Sequence, residues 1–396
     1  MIKISLMMTQ LSNINDSILV SISDSPWDHP YWTSRQFLMY ELSEHLPVLY
    51  ATDRTYVREF LKADYWRQVF LQKRRPPFDP PSRLHICRLA HLIPKFYGYS
   101  SLDGYFAKMY GRLLRKKSAR AGRKRLVAYL WEPNLIDCLA GLNPDVVIYH
   151  IYDKLDAMPA TPAQKAVVLN AEKQILRLAH AVITPHTKIA NELDHSNVHV
   201  VHNGVFQSLF KNCKTSPDLN SIPNPRIGYV GVINSKVDFD LLLYIANYKP
   251  DWSLVFGGPV KPGPWQNNKS FGAIKKLSNV TFLPPVPFDK ICALVRGLDI
   301  GIMPYNLSTW MSYSESPLKM YQYWALGIPI VSVPLPNLSH CPGIVSVAAT
   351  PEAWVKAIDY EIVHNKKELV EKRKRLALEN TWKQRAERVL KIIDSL

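Results

Sequence analysis

Along the whole chain, short continuous apolar runs alternate with stretches whose apolar residues recur every three or four positions. Runs of the first kind are strands covered on both faces and stretches of the second kind are helices, so the pattern predicts layered parallel α/β structure. In the first half it predicts strands at Ser17–Ile22, Pro47–Ala51, Leu84–Leu89, Leu126–Trp131, Val146–Tyr152, Ala181–Thr184 and Val198–His202, with helices at Arg35–His45 and Ala163–Ala179. From Phe206 to Pro225 Asn, Ser, Pro, Asp and Lys dominate and the period is lost, which reads as a linker. A second series follows, with strands at Arg226–Val232, Ser253–Phe256, Val280–Leu283, Ile300–Met303, Pro329–Val333 and Ile344–Val347. Its helices fall at Asp238–Asn247, Phe288–Arg296, Pro317–Leu326 and Pro351–Val363, and a last amphipathic stretch, Thr381–Ile393, opens on a threonine suited to cap it.

The organisation expected is an N-terminal Rossmann-like domain over 1–205, a linker over 206–225, a second Rossmann-like domain over 226–380 and a terminal helix over 381–396. A chain of 396 residues suits two cores better than one. Doubly wound sheets bind ligands in the crevice beyond the carboxyl ends of their strands, so the two domains are expected to face a shared cleft. Fold alone names no chemistry.

Composition narrows the class. With 47% apolar and 21% charged residues the chain is globular, and no apolar run approaches the roughly 20 residues that span a bilayer. Met1–Ser17 lacks the layout of a secretion signal. Cys87, Cys138, Cys213, Cys292 and Cys341 are odd in number and scattered, as expected of reduced thiols in a cytoplasm. The formal charge of +16 is unusual. Much of it lies in Gly104–Leu126, where Lys108, Arg112, Arg115, Lys116, Lys117, Arg120, Arg123, Lys124 and Arg125 occur without an acid. Tyr105, Phe106, Met109, Tyr110, Leu113 and Leu114 recur among them at helical spacing. Such a helix is either a solvated face over ordinary core or a surface for an anionic membrane. Nucleic acid would also be attracted, but no recognisable reading module accompanies the charge, and no nucleic-acid partner is expected.

The most informative segment follows the strand Ile300–Met303. Ser316 is a good N-cap and Pro317 suits the first helical position. The free N–H groups of Leu318 and Lys319, with the positive end of the helix dipole, then make an anion site to which Lys319 adds a charge. Gly327 ends that helix and a buried strand follows. Asp238-Phe239-Asp240 has the look of a metal motif, but acids at a helix start serve the dipole, and no metal is expected. No Gly-x-Ser-x-Gly, His-Glu-x-x-His or Walker signature is present.

Ser316-Pro317-Leu318-Lys319, Tyr321-Gln322-Tyr323 and Leu326-Gly327-Ile328-Pro329-Ile330-Val331-Ser332 resemble the donor-binding signature of retaining GT-B glycosyltransferases of family 4, in the teichuronic-acid and exopolysaccharide branch. Further matches run in the same order: Trp27-Asp28-His29-Pro30 with Arg35-Gln36, Tyr152-Asp153, His202-Asn203-Gly204-Val205, Arg226–Gly231, Asp251–Leu254, and Trp382 with Arg385. The last pair resembles the terminal helix that crosses back to the first domain.

The resemblance implies a GT-B fold and transfer of a hexosyl-type group, with retention, from a nucleotide diphosphate sugar to a hydroxyl of an envelope or exopolysaccharide precursor. The acceptor would be a glycan or lipid-linked. No cofactor is required, and the enzyme would be cytoplasmic, peripheral on the inner face of the membrane. Donor and phosphate contacts fall on Gly231, Lys236, Ser316, Leu318, Lys319 and Gln322. His150, Asp153 and Glu315 take the catalytic positions, with His150 placed to touch the donor sugar or handle a proton. Trp27, Asp28 and Arg35 lie on the acceptor side. Two positions depart from the wider family, which has glutamates where this chain has Ser314 and Gln322. An amide offers one neutral acceptor in place of two charged ones, so ribose binding by Gln322 is expected to be weaker. The alternative reading is a catalytically weak nucleotide-sugar-binding subunit that scaffolds polysaccharide assembly.

Overall fold

The computed structural model describes residues 12–63, 65–66, 75–96, 100–122, 124–158, 160–336, 338 and 344–396, so the first eleven residues, Arg123 and Cys341 lie outside it. The chain divides into two compact units: Met1–Tyr152 with Pro159–Val201 and Lys383–Leu396, and Asp153–Met158 with His202–Trp382.

The first unit contains β1 (Ser17–Ser23), β2 (Val48–Thr52), β3 (Thr55–Tyr56), β4 (Leu84–Cys87), β5 (Pro94–Lys95), β6 (Arg125–Leu130), β7 (Val146–His150), β8 (Ala181–Thr184) and β9 (Val198–Val200). Seven of these form one parallel sheet in the order β4-β2-β1-β6-β7-β8-β9, and β3 pairs with β5 apart from it. Every residue of β1 is buried, as is every residue of β7, which accounts for their mostly apolar character. Strand order reverses between β1 and β6, so the loops after these strands, carrying Asp24 and Glu132, open at the sheet's switch point.

Helix α1 (Ser34–Ser43) is anchored at its first turn by Gln36. The amide oxygen of Gln36 accepts from Thr33 N at 3.1 Å, and its nitrogen donates to Ser25 Oγ at 2.7 Å and Pro26 O at 3.0 Å, which pins the loop after β1. The basic amphipathic stretch forms α2 (Ser100–Ser118), and α3 (Pro162–Leu178) opens on Thr161. The basic run 104–126 is helical only to Ser118. A 3-10 turn at Ala119–Ala121 and left-handed Gly122 (φ 67°) follow, and Arg125 is already in β6. Strands ended earlier than read, at Cys87, His150 and Val200.

The second unit holds β10 (Arg226–Val230), β11 (Ser253–Gly257), β12 (Val280–Leu283), β13 (Ile300–Met303), β14 (Ile330–Ser332) and β15 (Val345–Val347). They form a parallel sheet in the order β12-β11-β10-β13-β14-β15, whose switch point falls between β10 and β13. Its longer helices are α4 (Phe239–Tyr248), α5 (Leu318–Ala325), α6 (Pro351–His364) and α7 (Lys367–Leu378), and α8 (Trp382–Ser395) closes the chain. Helix α7 has no counterpart in the sequence reading, because it buries only Arg373 and Ala377 and shows no apolar period. The expected helix Phe288–Arg296 starts as a 3-10 turn and is α-helical from Ile291. The 206–225 segment is no free tether. Phe206, Phe210, Leu219 and Ile222 are buried, and Ser216 N donates to Ala293 O at 3.0 Å.

Candidate functional site

In the second unit, the loops after β10 and β13 meet at the switch point. Gly231 follows β10 with φ 145°, a conformation that side chains avoid, and its N–H donates to Gly257 O at 2.7 Å. A Cβ there would lie 3.3 Å from Lys319 Nζ, so the missing side chain leaves room directly beside an ammonium. Lys319 stands in the first turn of α5 and is buried. Its Nζ donates to Tyr305 Oη at 2.8 Å and sits 4.2 Å from the centre of the Tyr229 ring. Burial pushes the Lys319 ammonium well below its usual range, and the charge of Lys236 pushes it further. Lys236 is half-buried in the loop after β10. Burial also lowers its pKa, with Asp153 opposing the shift and Lys261 adding to it. Burial and like charge thus act in the same direction on Lys319.

The helix start differs by one residue from the sequence reading. Pro317, not Ser316, occupies the N-cap position, and no side chain caps α5. Ser316 is instead held by Asn203, whose N–H donates to Ser316 Oγ at 3.3 Å and whose Nδ2 donates to Ser316 O at 2.8 Å. The uncapped first turn leaves the Leu318 and Lys319 end of the dipole open to a ligand. Ser314, Glu315 and Gln322 are all buried around this turn. Tyr323, on the same helix, stitches it to β10: its hydroxyl donates to Gly228 O and accepts from Val230 N, both at 3.1 Å. Gly228 faces Leu298, so its lack of a side chain serves packing; a Cβ would lie 2.3 Å from that leucine. Asp238 caps α4 by accepting from Leu241 N at 3.0 Å, and Asp240 accepts from Ser270 Oγ, so both carboxylates of the Asp-x-Asp run have local partners.

In the first unit, a polar cluster sits at the carboxyl ends of β1, β6 and β7. Arg35 reaches it from α1, donating from Nε and Nη2 to Glu132 Oε1 at 3.1 and 2.7 Å, with Asp24 at 3.3 Å. Its guanidinium lies 3.7 Å from the centre of the Tyr152 ring. Burial alone would lower the Arg35 pKa, but Glu132, Tyr152 and Asp24 raise it, so it stays charged. Burial raises the Glu132 carboxyl while Arg35 pulls it back; the two short contacts to one oxygen are those of an ionised carboxylate. Asp24 N also donates to Glu132 Oε2 at 3.0 Å, leaving the Asp24 side chain 58% exposed.

Three sequence expectations change here. Arg35 and Trp27 are buried, Trp27 against Trp32 and Tyr50, and Arg35 reaches Asp24, so both pin the loop after β1. Asp28 is half-buried in that loop, and Asp24, not singled out from the sequence, is the exposed carboxylate. His150 is stacked on Trp131 at 4.3 Å and bonded through Nδ1 to Tyr129 Oη at 2.6 Å. Burial, Arg35 and His186 press its pKa down to about 3, so it is neutral at ordinary pH and is no proton donor. Asp153 clusters with the second unit, where it faces Lys236. Glu132 was missed because it reads as the end of a strand; its only signal was a carboxylate directly after an apolar run.

No protein-family model matches the chain. TuaH of Bacillus subtilis (strain 168), named a "Putative teichuronic acid biosynthesis glycosyltransferase", is 30% identical over 185 residues, which is 44% of this chain and 46% of that protein. The match thus spans less than half of the relative. Among solved structures, sucrose-phosphate synthase from Thermosynechococcus elongatus superposes with a TM-score of 0.68 at 14% identity, covering 95% of this chain and 98% of that one. Anabaena HepE in complex with UDP-glucose gives 0.64 at 12% identity, covering 96% and 100%. These likenesses establish the fold, an α/β chain of GT-B type with doubly wound parallel sheets.

Proposed function

We propose that the chain is a glycosyltransferase that moves a sugar from a nucleotide diphosphate sugar to a hydroxyl of an envelope or exopolysaccharide precursor, with retention of configuration. The observation that carries this reading is the pair Lys319 and Lys236 beside Gly231 at the uncapped start of α5. Charge that develops on a departing diphosphate would be met there by donors already in place, which need no reorganisation during reaction. Retention and the acceptor class rest on the motif resemblance and on the relation to TuaH. A uridine diphosphate sugar is the first donor to test, since the Anabaena structure holds UDP-glucose. With His150 buried and too weak a base to hold a proton, the departing phosphate is proposed to take the acceptor proton, and neither metal nor cofactor is called for. Asp153, which faces Lys236, and Glu315, buried before α5, are the carboxylates proposed to contact the donor sugar. The domain reading goes with this: 1–205 acceptor side, 226–380 donor side, and the terminal helix with the former.

The buried Gln322 favours a second reading, a nucleotide-sugar-binding subunit of low activity, because an amide stands where the resemblance implies a ribose-binding glutamate. Transfer of radiolabelled sugar from UDP-sugars to a panel of polyprenyl-linked and free glycans separates the two. The enzyme reading expects labelled product with the wild type and several-fold tighter donor binding in Gln322→Glu. Donor binding without any product from either protein would establish the subunit instead. The expected location is the cytoplasm, with peripheral attachment to the membrane's inner face; among the described residues no helix is long and apolar enough to cross a membrane.

A further inference from the structure

Helix α2 has two faces of different kinds. Ala107, Tyr110, Gly111 and Leu114 are buried and fix the helix to its unit. The opposite stripe runs Leu102, Tyr105, Lys108, Arg112, Lys116 and Arg120, stepping by three or four residues, and every member is exposed. Its start is apolar, with Tyr105 65% exposed, and the rest is cationic. The only acid on the helix, Asp103, is turned away from the stripe's charge: Arg54 grips both of its oxygens at 2.9 and 2.8 Å. Arg54 also donates to Pro94 O at 3.1 Å, and Phe96 N donates to Asp103 Oδ1 at 2.7 Å. These bonds lock the start of α2 to the β3–β5 ladder. On either side of that ladder stand Leu61, 87% exposed in the turn after β3, and Leu92, 59% exposed before β5. Arg58 and Lys62 near Leu61 are exposed as well, each paired with Glu59, so the unpaired charge of the surface is that of the α2 stripe.

We infer that this surface, the outer stripe of α2 with Leu61 and Leu92 beside its start, docks on an anionic lipid bilayer. It deepens the peripheral attachment proposed above by naming the lipid charge and the residues that meet it. Large side chains held in water gain by entering the apolar boundary of a bilayer, and a row of cations without an acid is drawn to anionic headgroups. Nucleic acid would engage the cations but has no use for the exposed leucines. Tyr110 and Leu114, among the apolar positions read at helical spacing, belong to the core, so the inner face is ordinary core and only the outer stripe is left for docking.

The test is co-sedimentation of the full chain, without donor or acceptor, with vesicles of phosphatidylglycerol and phosphatidylcholine or of phosphatidylcholine alone. Binding is expected to the anionic vesicles and to weaken sharply between about 0.1 and 0.5 M salt. Arg112→Glu with Lys116→Glu should weaken it about 30-fold or more, at roughly tenfold or less for each cation lost and more for reversal. Leu61→Ser with Tyr105→Ser should remove the binding that survives high salt. Equal binding to neutral vesicles, no binding to anionic ones, or an Arg112/Lys116 variant that binds like the wild type would overturn the inference. So would a duplex oligonucleotide that binds where vesicles do not. UDP-sugar affinity is measured on the same variants; it lies in the other unit and should not change, so failure of docking and failure of the donor reading are told apart.

Discussion

At the scale of single residues, the two candidate sites solve opposite electrostatic problems. Arg35 and Glu132 are both buried and satisfy each other, so removing one strands the other. Arg35→Leu is expected to destabilise the protein by about 3–5 kcal/mol in urea unfolding, because an unpaired buried carboxylate remains. Glu132→Gln keeps an acceptor but loses the charge, and it should still destabilise. His150 adds a pH dependence. Its folded pKa of about 3 lies below the ordinary histidine value of 6.5, so between these values the unfolded chain binds a proton that the native state refuses. Stability should therefore fall as pH drops from about 6.5, by up to about 1.4 kcal/mol per pH unit from this group. His150→Gln, which can still accept from Tyr129, should flatten that part of the slope when unfolding free energies near pH 7 and pH 5 are compared. An unchanged slope would mean the ring is protonated in the fold. Lys319 differs from these groups in that burial and the charge of Lys236 both lower its pKa.

Among the elements, legibility followed burial. β1 and β7 were readable because both faces are covered and their residues are mostly apolar, whereas α7 is solvated on most sides and buries only Arg373 and Ala377. The start of α5 was placed within one residue, but its cap was not. Ser316 looked like an N-cap by type, yet Asn203, more than a hundred residues away in sequence, takes it for another purpose. Gln36 was readable as part of a motif, while its grip on Ser25 and Pro26 was not, since a loop's path depends on partners that local pattern does not reveal. The crossing of α2 over the segment near Cys138–Leu142 is equally silent in sequence. A Cβ on Gly141 would lie 1.9 Å from Lys108 O, and one on Gly111 would lie 2.1 Å from Cys138 O, so the two backbones touch. Gly141→Ala is thus expected to force the segments apart and destabilise by about 1–3 kcal/mol or more, read as a lowered urea midpoint. Gly104→Ala, with nothing within 4 Å of its Cβ position on the same helix, is the control and should leave the midpoint unchanged or raise it.

For the molecule as a whole, the fold follows from two parallel sheets, each with one reversal of strand order, and each reversal carries the polar groups that the apolar pattern does not require. The switch point of the second unit gathers the buried Lys319 and the half-buried Lys236, and that of the first gathers a satisfied ion pair with one exposed carboxylate. The proposed donor site is the former. The most direct test is calorimetric titration of the full chain with UDP-glucose and related nucleotide sugars, alongside Lys319→Met. The account predicts donor binding by the wild type and a loss of at least about tenfold in the variant, as expected for a charge-assisted bond to phosphate. It also predicts no loss of ligand-free stability, because a desolvated charge has been removed. Binding that is equally tight in Lys319→Met, or a variant that unfolds more readily while the wild type binds no nucleotide sugar, would contradict it and make Lys319 a structural residue.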